Sequence, residues 1–163
     1  MMQLVTPFRT GIVGLVLLLV SQFGYSQGLE YTPDLSLRMT EFQEKVLQPK
    51  EEIWVLDFWA TWCGPCIVAV PHMKTLQKRY ADKSVRFISL SWDQSEAKWQ
   101  SGLMRLQMPW QHLWIHPDLI PWFDDHFPHK GIPTAFVIPR DGKFKRVNDV
   151  YLLDKAIDKA LKK

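Results

Sequence analysis

Ile53-Trp54-Val55-Leu56-Asp57-Phe58-Trp59 runs straight into Ala60-Thr61-Trp62-Cys63-Gly64-Pro65-Cys66, and the junction between these two stretches decides the fold. The first stretch is an apolar run rich in β-formers, as a strand buried on both faces requires. The second opens a helix expected over Cys63 to Tyr80, with Leu76 and Tyr80 on one face and Lys74, Lys78 and Arg79 outward. A buried strand that feeds a helix is the opening of a βαβ unit. Asp57 is a carboxylate among Ile, Val, Leu and Phe, where burial should raise its pKa.

The chain holds two cysteines, Cys63 and Cys66, and both lie at this junction. A disulfide stabilises more when it closes a longer loop, and a bridge across two residues constrains little of the unfolded chain. Redox chemistry or metal binding therefore explains the pair better than stability does. Zinc needs two further ligands, and His72, His112, His116, His126 and His129 show no ligand spacing; neither metal nor cofactor is expected. As a redox pair the two residues divide the work. Cys63 falls at the helix N-terminus, where unpaired N–H groups and the dipole favour an anion, so it is the expected attacking thiolate. Gly64 and Pro65 tighten the turn. Cys66 falls inside the first helical turn, where it should be less exposed and placed to resolve a mixed disulfide.

Outward from the junction, Leu37 to Gln48 reads as a helix with Leu37, Phe42, Val46 and Leu47 as core positions, stopped by Pro49. Val85 to Ser91 is a second strand. Ser95 caps a helix to about Gln107, ended by Pro109, and Gln111 to Ile115 is a short strand. Asp118 is expected to cap a helix through Phe127. Ala135 to Pro139 and Phe144 to Asn148 flank Arg140-Asp141-Gly142-Lys143, whose Asp-Gly is a hairpin signal. Leu152 to Lys163 closes the chain as an amphipathic helix. This order predicts an α/β sandwich with a mixed sheet. Trp59 is expected in the core and Trp62 on a substrate-facing surface. Trp92, Trp99, Trp110, Trp114 and Trp122 should form a satellite core, and His126 and His129 should lie on the surface.

The first 26 residues read as an address rather than a fold element, leaving a domain over 27–163. Arg9 and the amino terminus precede the apolar run Gly11 to Val20, and Ser21 to Gln27 turn small and polar, with a cleavage site after Ser26. The apolar run is short for a membrane span, so a cleaved signal peptide is favoured over an uncleaved anchor in the inner membrane. Both place the domain outside the cytoplasm, in the periplasm, where the cysteines meet an oxidising compartment. Of the 163 residues 47% are hydrophobic and 23% charged, enough for a proper core, and the net charge of +3 is spread without the basic stripe of a nucleic-acid binder.

Leu56-Asp57-Phe58-Trp59-Ala60-Thr61-Trp62-Cys63-Gly64-Pro65-Cys66 resembles the active-site stretch of the thioredoxin family nearly residue for residue. Pro71, five after Cys66, matches the family's helix-kinking proline; Gly131-Ile132-Pro133-Thr134 resembles its cis-proline loop; Gly142 matches the glycine of its last hairpin. The likeness covers roughly Leu37 to Lys163. The address segment and the about 40 residues between Asp93 and Pro133 resemble the exported TlpA/ResA-like branch. The resemblance implies a thioredoxin fold, a mixed central sheet flanked by helices, with an extended middle insertion. It implies that Asp57 is the general base that deprotonates Cys66 through water, and that Pro133 is cis and packs beside the cysteines. It also implies that the Ile132 backbone pairs with an extended substrate, with Trp62, Gly64 and Pro65 lining the same surface. Some positions depart from the pattern. Many exported relatives carry two prolines between the cysteines and an asparagine in place of Asp57. The lysine that often faces the buried acid falls at Ser89, and Asn148 replaces a glycine of the last strand.

The function expected from this resemblance is thiol–disulfide exchange on extracytoplasmic protein partners. A centre of this type has a potential near about −270 mV and works as a reductant. A membrane thiol carrier would re-reduce it, the chain would act as a monomer, and apocytochrome c cysteines are one fitting substrate. Two alternatives remain. A thiol peroxidase of the same fold needs a proline where Leu56 stands, and the spacing of Trp59 and Thr61 to Cys63 does not supply the rest of its pattern. A copper metallochaperone would use Cys63 and Cys66 as soft ligands.

Overall fold

The computed structural model describes residues 39–40, 42–47 and 51–162. The expected address segment, Leu37, Gln48 and Pro49 lie outside the described residues. In chain order the elements are β1 (Ile53–Trp59), α1 (Gly64–Arg79), β2 (Val85–Ser91), α2 (Glu96–Leu106), β3 (Gln111–Trp114), α3 (Ile120–His126), β4 (Thr134–Ile138), β5 (Lys145–Val147) and α4 (Leu153–Leu161). They form one five-stranded sheet of order β3-β2-β1-β4-β5. β1 pairs parallel with β2 and antiparallel with β4; β2–β3 is parallel and β4–β5 antiparallel. This is the mixed α/β sheet expected, with β1 at its centre.

Side chains alternate across β1, so the strand serves two cores. Ile53 and Val55 face α1 and α4, where Ala69, Met73, Leu76 and Tyr80 meet Leu153, Ile157 and Ala160. Tyr80 also ties the two helices by a hydroxyl bond to Asp158 Oδ1 at 2.8 Å. Phe58 faces the other layer, against Phe127 and Phe136 at 5.8 and 5.3 Å between ring centroids. Phe123 extends that aromatic layer to Phe42, at 5.3 Å. Phe42 and Val46 are buried as expected, within a turn that is π-helical over Gln43–Leu47, and Leu47 is half-buried.

Four local expectations change. The turn Pro117–Leu119 is 3-10, and His116 Nδ1 accepts from Asp118 N at 3.4 Å, so His116 caps the segment rather than Asp118. A cap at Asp118 would accept from the N–H of residue 120 or 121; Ile120 N donates to Pro117 O instead, and Pro121 has no N–H. The last helix starts at Leu153 because Val150–Leu152 forms a 3-10 turn capped by Asp149, whose Oδ1 accepts from Tyr151 N at 3.0 Å. β5 is shorter than expected: Phe144 lies outside it, its ring against Phe127 at 5.2 Å. His129 is not a surface residue. Its side chain is 10% exposed and sits edge-on to Phe58 at 5.3 Å. His126 is exposed, stacked on Trp122 at 3.8 Å. Trp99 is buried in the cluster that holds Trp59, with Trp92, Trp110 and Trp114 packed against it, while Trp122 lies outside that cluster. Among the described residues no helix is long and apolar enough to cross a membrane.

The strand-to-helix junction is fastened to the extended middle section by one carboxylate. Asp93, just beyond β2, is fully buried. It accepts from the Thr61 hydroxyl at 2.6 Å, from Thr61 N at 3.1 Å and from the Ser91 hydroxyl at 2.8 Å. Its own carbonyl accepts from Trp114 Nε1 at 2.7 Å. The hydroxyl bond fixes the rotamer of Thr61, and this turns the Thr61 methyl toward α2. There Gly102 lies so close that a Cβ at this position would collide with Thr61 Cγ2 and touch the Trp59 ring at 3.4 Å. The glycine is thus required by packing, inside a helix that it otherwise weakens.

Asp93→Asn should lower the urea-derived unfolding free energy of the oxidised protein by about 2–4 kcal/mol, because a charged acceptor shared by three donors is lost. Gly102→Ala should also destabilise, by about 1–3 kcal/mol in the same assay. The overpacking outweighs the gain in helix propensity, since Thr61 cannot turn away without leaving Asp93.

Candidate active site

The cysteines sit where β1 ends and α1 begins. Cys63 is the N-cap of α1, with extended backbone angles (φ −85°, ψ 96°), and Pro65 occupies the first turn, where its missing N–H costs nothing. The two residues are bridged, with an S–S distance of 2.03 Å and Cα atoms 5.2 Å apart. Cys63 Sγ accepts from Cys66 N at 3.2 Å. The first sulfur therefore takes the place of a capping oxygen and receives an N–H that the helix cannot itself satisfy. Cys63 N donates to Ala60 O at 3.1 Å, which closes the turn that Asp93 holds from the other side. The expectation that Cys66 would be less exposed fails for the bridged pair: both cysteines are 5% exposed. Both cysteines belong to one buried cluster with Trp59 and Met108, so in this state the asymmetry lies in helix position and not in access.

Asp57 lies on the same face of β1 as Ile53 and Val55, two residues before Trp59, so its carboxylate points under α1. Burial pushes its pKa up to about 6, opposed in part by the Ser89 hydroxyl, which donates to Oδ2 at 3.0 Å. Ser89 is the residue opposite Asp57 in the β1–β2 register, the position where the family's lysine was expected. Among the described residues no cation pairs with Asp57 in place of that lysine. The second partner of Ser89 is neutral: Trp110 Nε1 donates to its hydroxyl oxygen at 2.8 Å. Asp57 and Cys66 line one small cavity with Met73, Met108, Trp110 and Pro133. The space open to a water centre is about 10 Å3, about what a single water needs.

The Ile132–Pro133 peptide bond is cis, as the resemblance implied. Gly131 (φ +134°) supplies a backbone conformation that side chains disfavour, and Thr134 Oγ1 donates to Gly131 O at 2.7 Å to close the loop. Ile132 packs against the cluster that holds both cysteines. Gly64 and Pro65 are exposed, and Trp62 is 63% exposed, so these three face solvent beside the pair. Pro65 and Pro133 also line an open groove of about 420 Å3 with Val68, Asn148, Val150 and Tyr151. Val68 and Tyr151 are exposed apolar side chains at 69% and 51%. The sequence reading missed this groove wall, and it missed Asp93 and Trp110 as site residues. Asp93 carried a usable signal: a charge at the carboxyl end of a central strand, where α/β sheets place their sites. Trp110 carried none, because its role depends on a contact between β2 and the segment before β3. Among the described residues no group of three or more His, Cys, Asp or Glu is placed to hold a metal ion.

A thioredoxin-like family profile matches residues 51–144. The thiol-disulfide oxidoreductase ResA of Bacillus cereus is 30% identical over 88 residues, covering 54% of this chain and 49% of that protein. The thioredoxin-like protein YneN of Bacillus subtilis is 43% identical over 63 residues, covering 38% of this chain and 36% of that protein. The chain thus spans about half or less of the curated relatives it matches. Among solved structures, a candidate thiol:disulfide interchange protein DsbE of Chlorobium tepidum superposes with a TM-score of 0.62 at 27% identity, covering 69% of this chain and 82% of that one. A candidate thiol-disulfide oxidoreductase of Bacteroides vulgatus gives 0.57 at 31% identity, covering 71% and 75%. With the profile spanning more than half the sequence across the cysteine pair and the cis-proline loop, the chain belongs to the thioredoxin-like family.

Proposed function

We propose that the protein is an exported protein-disulfide reductase whose working dithiol is Cys63 and Cys66. The observation that carries this reading is the Cys66 N–H directed at Cys63 Sγ, with the cis Pro133 and the buried Asp57 lining one cavity with Cys66. In the reduced protein that N–H and the start of α1 stabilise a thiolate on Cys63. The thiolate attacks one sulfur of a substrate disulfide, and the other leaves as a thiolate. Asp57 then takes the proton of Cys66, directly or through one water. The Cys66 thiolate attacks Cys63 Sγ, which expels the second substrate sulfur and closes the Cys63–Cys66 bridge. Two electrons pass to the substrate, and the two cysteines return to the state seen in the structure.

The substrate segment passes over Trp62 and Gly64 into the groove at Pro65 and Pro133, with the Ile132 backbone pairing to it as an added strand. The Val68 and Tyr151 side chains give that segment apolar contacts. Residues 1–26 serve as the export signal, cleaved or retained as an anchor, and the domain works in the periplasm as a monomer. A membrane thiol donor returns it to the dithiol, and apocytochrome c cysteines are one substrate of the right chemistry.

Cys66→Ser should stall exchange at the mixed disulfide, so that non-reducing electrophoresis of the exported fraction shows substrates linked through Cys63. A variant that captures nothing, while the wild type reduces insulin, would speak against this sequence of steps. Asp57→Asn should slow resolution and at the same time stabilise the fold. The sign follows from the raised pKa. Between about pH 4 and pH 6 the folded state keeps a proton that the unfolded state has released, so stability falls as pH rises through that window. Above it both states are ionised and the burial penalty of about 3 kcal/mol is fully present. Chemical denaturation should therefore find Asp57→Asn more stable than wild type at pH 8 by about that amount, with the difference vanishing near pH 4.

A further inference from the structure

The site holds a hydrogen-bond chain whose direction is set by chemistry alone. An indole N–H can only donate. Trp110 Nε1 lies 2.8 Å from Ser89 Oγ, so the serine oxygen accepts there. The serine proton is then committed to its other neighbour, Asp57 Oδ2, at 3.0 Å. Ser89 is fully buried, so bulk solvent does not compete for its hydroxyl. A proton on Oδ2 would face the serine proton and leave one of the two buried without an acceptor, which is costly. Both states that Asp57 visits during exchange therefore have to keep Oδ2 as an acceptor. We propose that Trp110 and Ser89 are positioning residues for the proton transfer, a neutral donor chain that holds Asp57 Oδ2 as a permanent acceptor and confines the exchangeable proton to Oδ1.

The inference rests on the reading of Asp57 as the base for Cys66, and it assigns the tuning that a facing lysine would otherwise supply. The chain stabilises the carboxylate without a charge of its own. In the transfer the Cys66 S–H bond breaks and an O–H bond forms at Oδ1, while the serine and indole protons stay in place. Of the residues lining the cavity, only Asp57 and Cys66 titrate. Across the sheet, β4 contributes Ala135 opposite Asp57, which carries no charge. On the β3 side the titratable group in register with Ser89 is His112, 5.6 Å from the Trp110 ring. Burial pushes its pKa down to about 4, against the bond of Nε2 to Met108 O at 3.1 Å. His112 is thus a neutral ring over the range in which Asp57 titrates, and it supplies no cation to the site.

The test follows the Asp57 carboxyl carbon by NMR through a pH titration of the reduced protein, alongside the pH dependence of resolution of a preformed Cys63 mixed disulfide. Ser89→Ala should move both the carboxyl titration and the acid limb of the rate upward by about one pH unit, the size of a lost donor to a carboxylate. Ser89→Thr keeps the hydroxyl and should restore the wild-type profile. Trp110→Phe should shift both readouts in the same direction by less, since the serine can still donate but is no longer held. These readouts are absent from a merely structural role, which would change stability and leave the pH profile in place. If Ser89→Ala does not fold, Trp110→Phe and Ser89→Thr carry the test. Profiles of Ser89→Ala and Trp110→Phe that superimpose on wild type, while Asp57→Asn abolishes the acid limb, would overturn the donor chain and leave Asp57 as the base. An acid limb that survives in Asp57→Asn would overturn the base assignment and the chain with it.

Discussion

The amide of Cys66 points at the sulfur of Cys63, and the rest of the site exists to keep that contact in place. A helix start has N–H groups without internal partners, and here a sulfur, not an oxygen, occupies the capping position. For the contact to matter, the end of β1 and the start of α1 must be held rigidly. Three features do so. The central position of β1 between β2 and β4 fixes the strand. Asp93 gathers the Thr61 backbone and hydroxyl into a single buried carboxylate. Gly102 lets α2 close against Thr61 and Trp59 without a side chain between them.

These constraints connect the extended middle section to the chemistry. The residues between β2 and β4 supply α2 with Gly102, Trp99 against the cysteine cluster, and Trp110 on Ser89. Trp114 donates to the Asp93 carbonyl from β3, so the clamp on Thr61 is itself held by the section beyond it. A change in this section therefore reaches the cysteines by packing and hydrogen bonding, with no direct contact to the sulfurs required. Buried polar groups near the site are tied together in the same way, and a half-broken network would cost more than none.

Much of this was legible in the sequence because the signals were local. The strand over Ile53–Trp59, the helix opening at the cysteines, the Ser95 cap and the Asp-Gly hairpin each depend on a few adjacent residues. The cis bond before Pro133 followed from the resemblance, and it is present. What stayed hidden depends on long-range contacts. His129 looked like a surface residue until the Phe58 and Trp92 rings were placed around it. The register put Ser89 opposite Asp57, but the indole behind Ser89 comes from 21 residues further along the chain. The cap at Asp118 failed because Pro121 has no N–H, which is visible in the sequence, and because Ile120 N turns to Pro117 O, which is not. The equal burial of the two cysteines also escaped the reading, because helix position alone says nothing about what packs over a sulfur.

The most direct measurement is the ionisation of Cys63 in the reduced protein, read from thiolate ultraviolet absorbance across pH with Cys66→Ala as the background. The account predicts that Cys63 ionises well below the free-cysteine value of about 8.5. It also predicts alkylation rates that stay high into mildly acidic solution. A thiol that titrates like free cysteine would mean that the amide and the helix start do not stabilise the anion, and would contradict the account at its root.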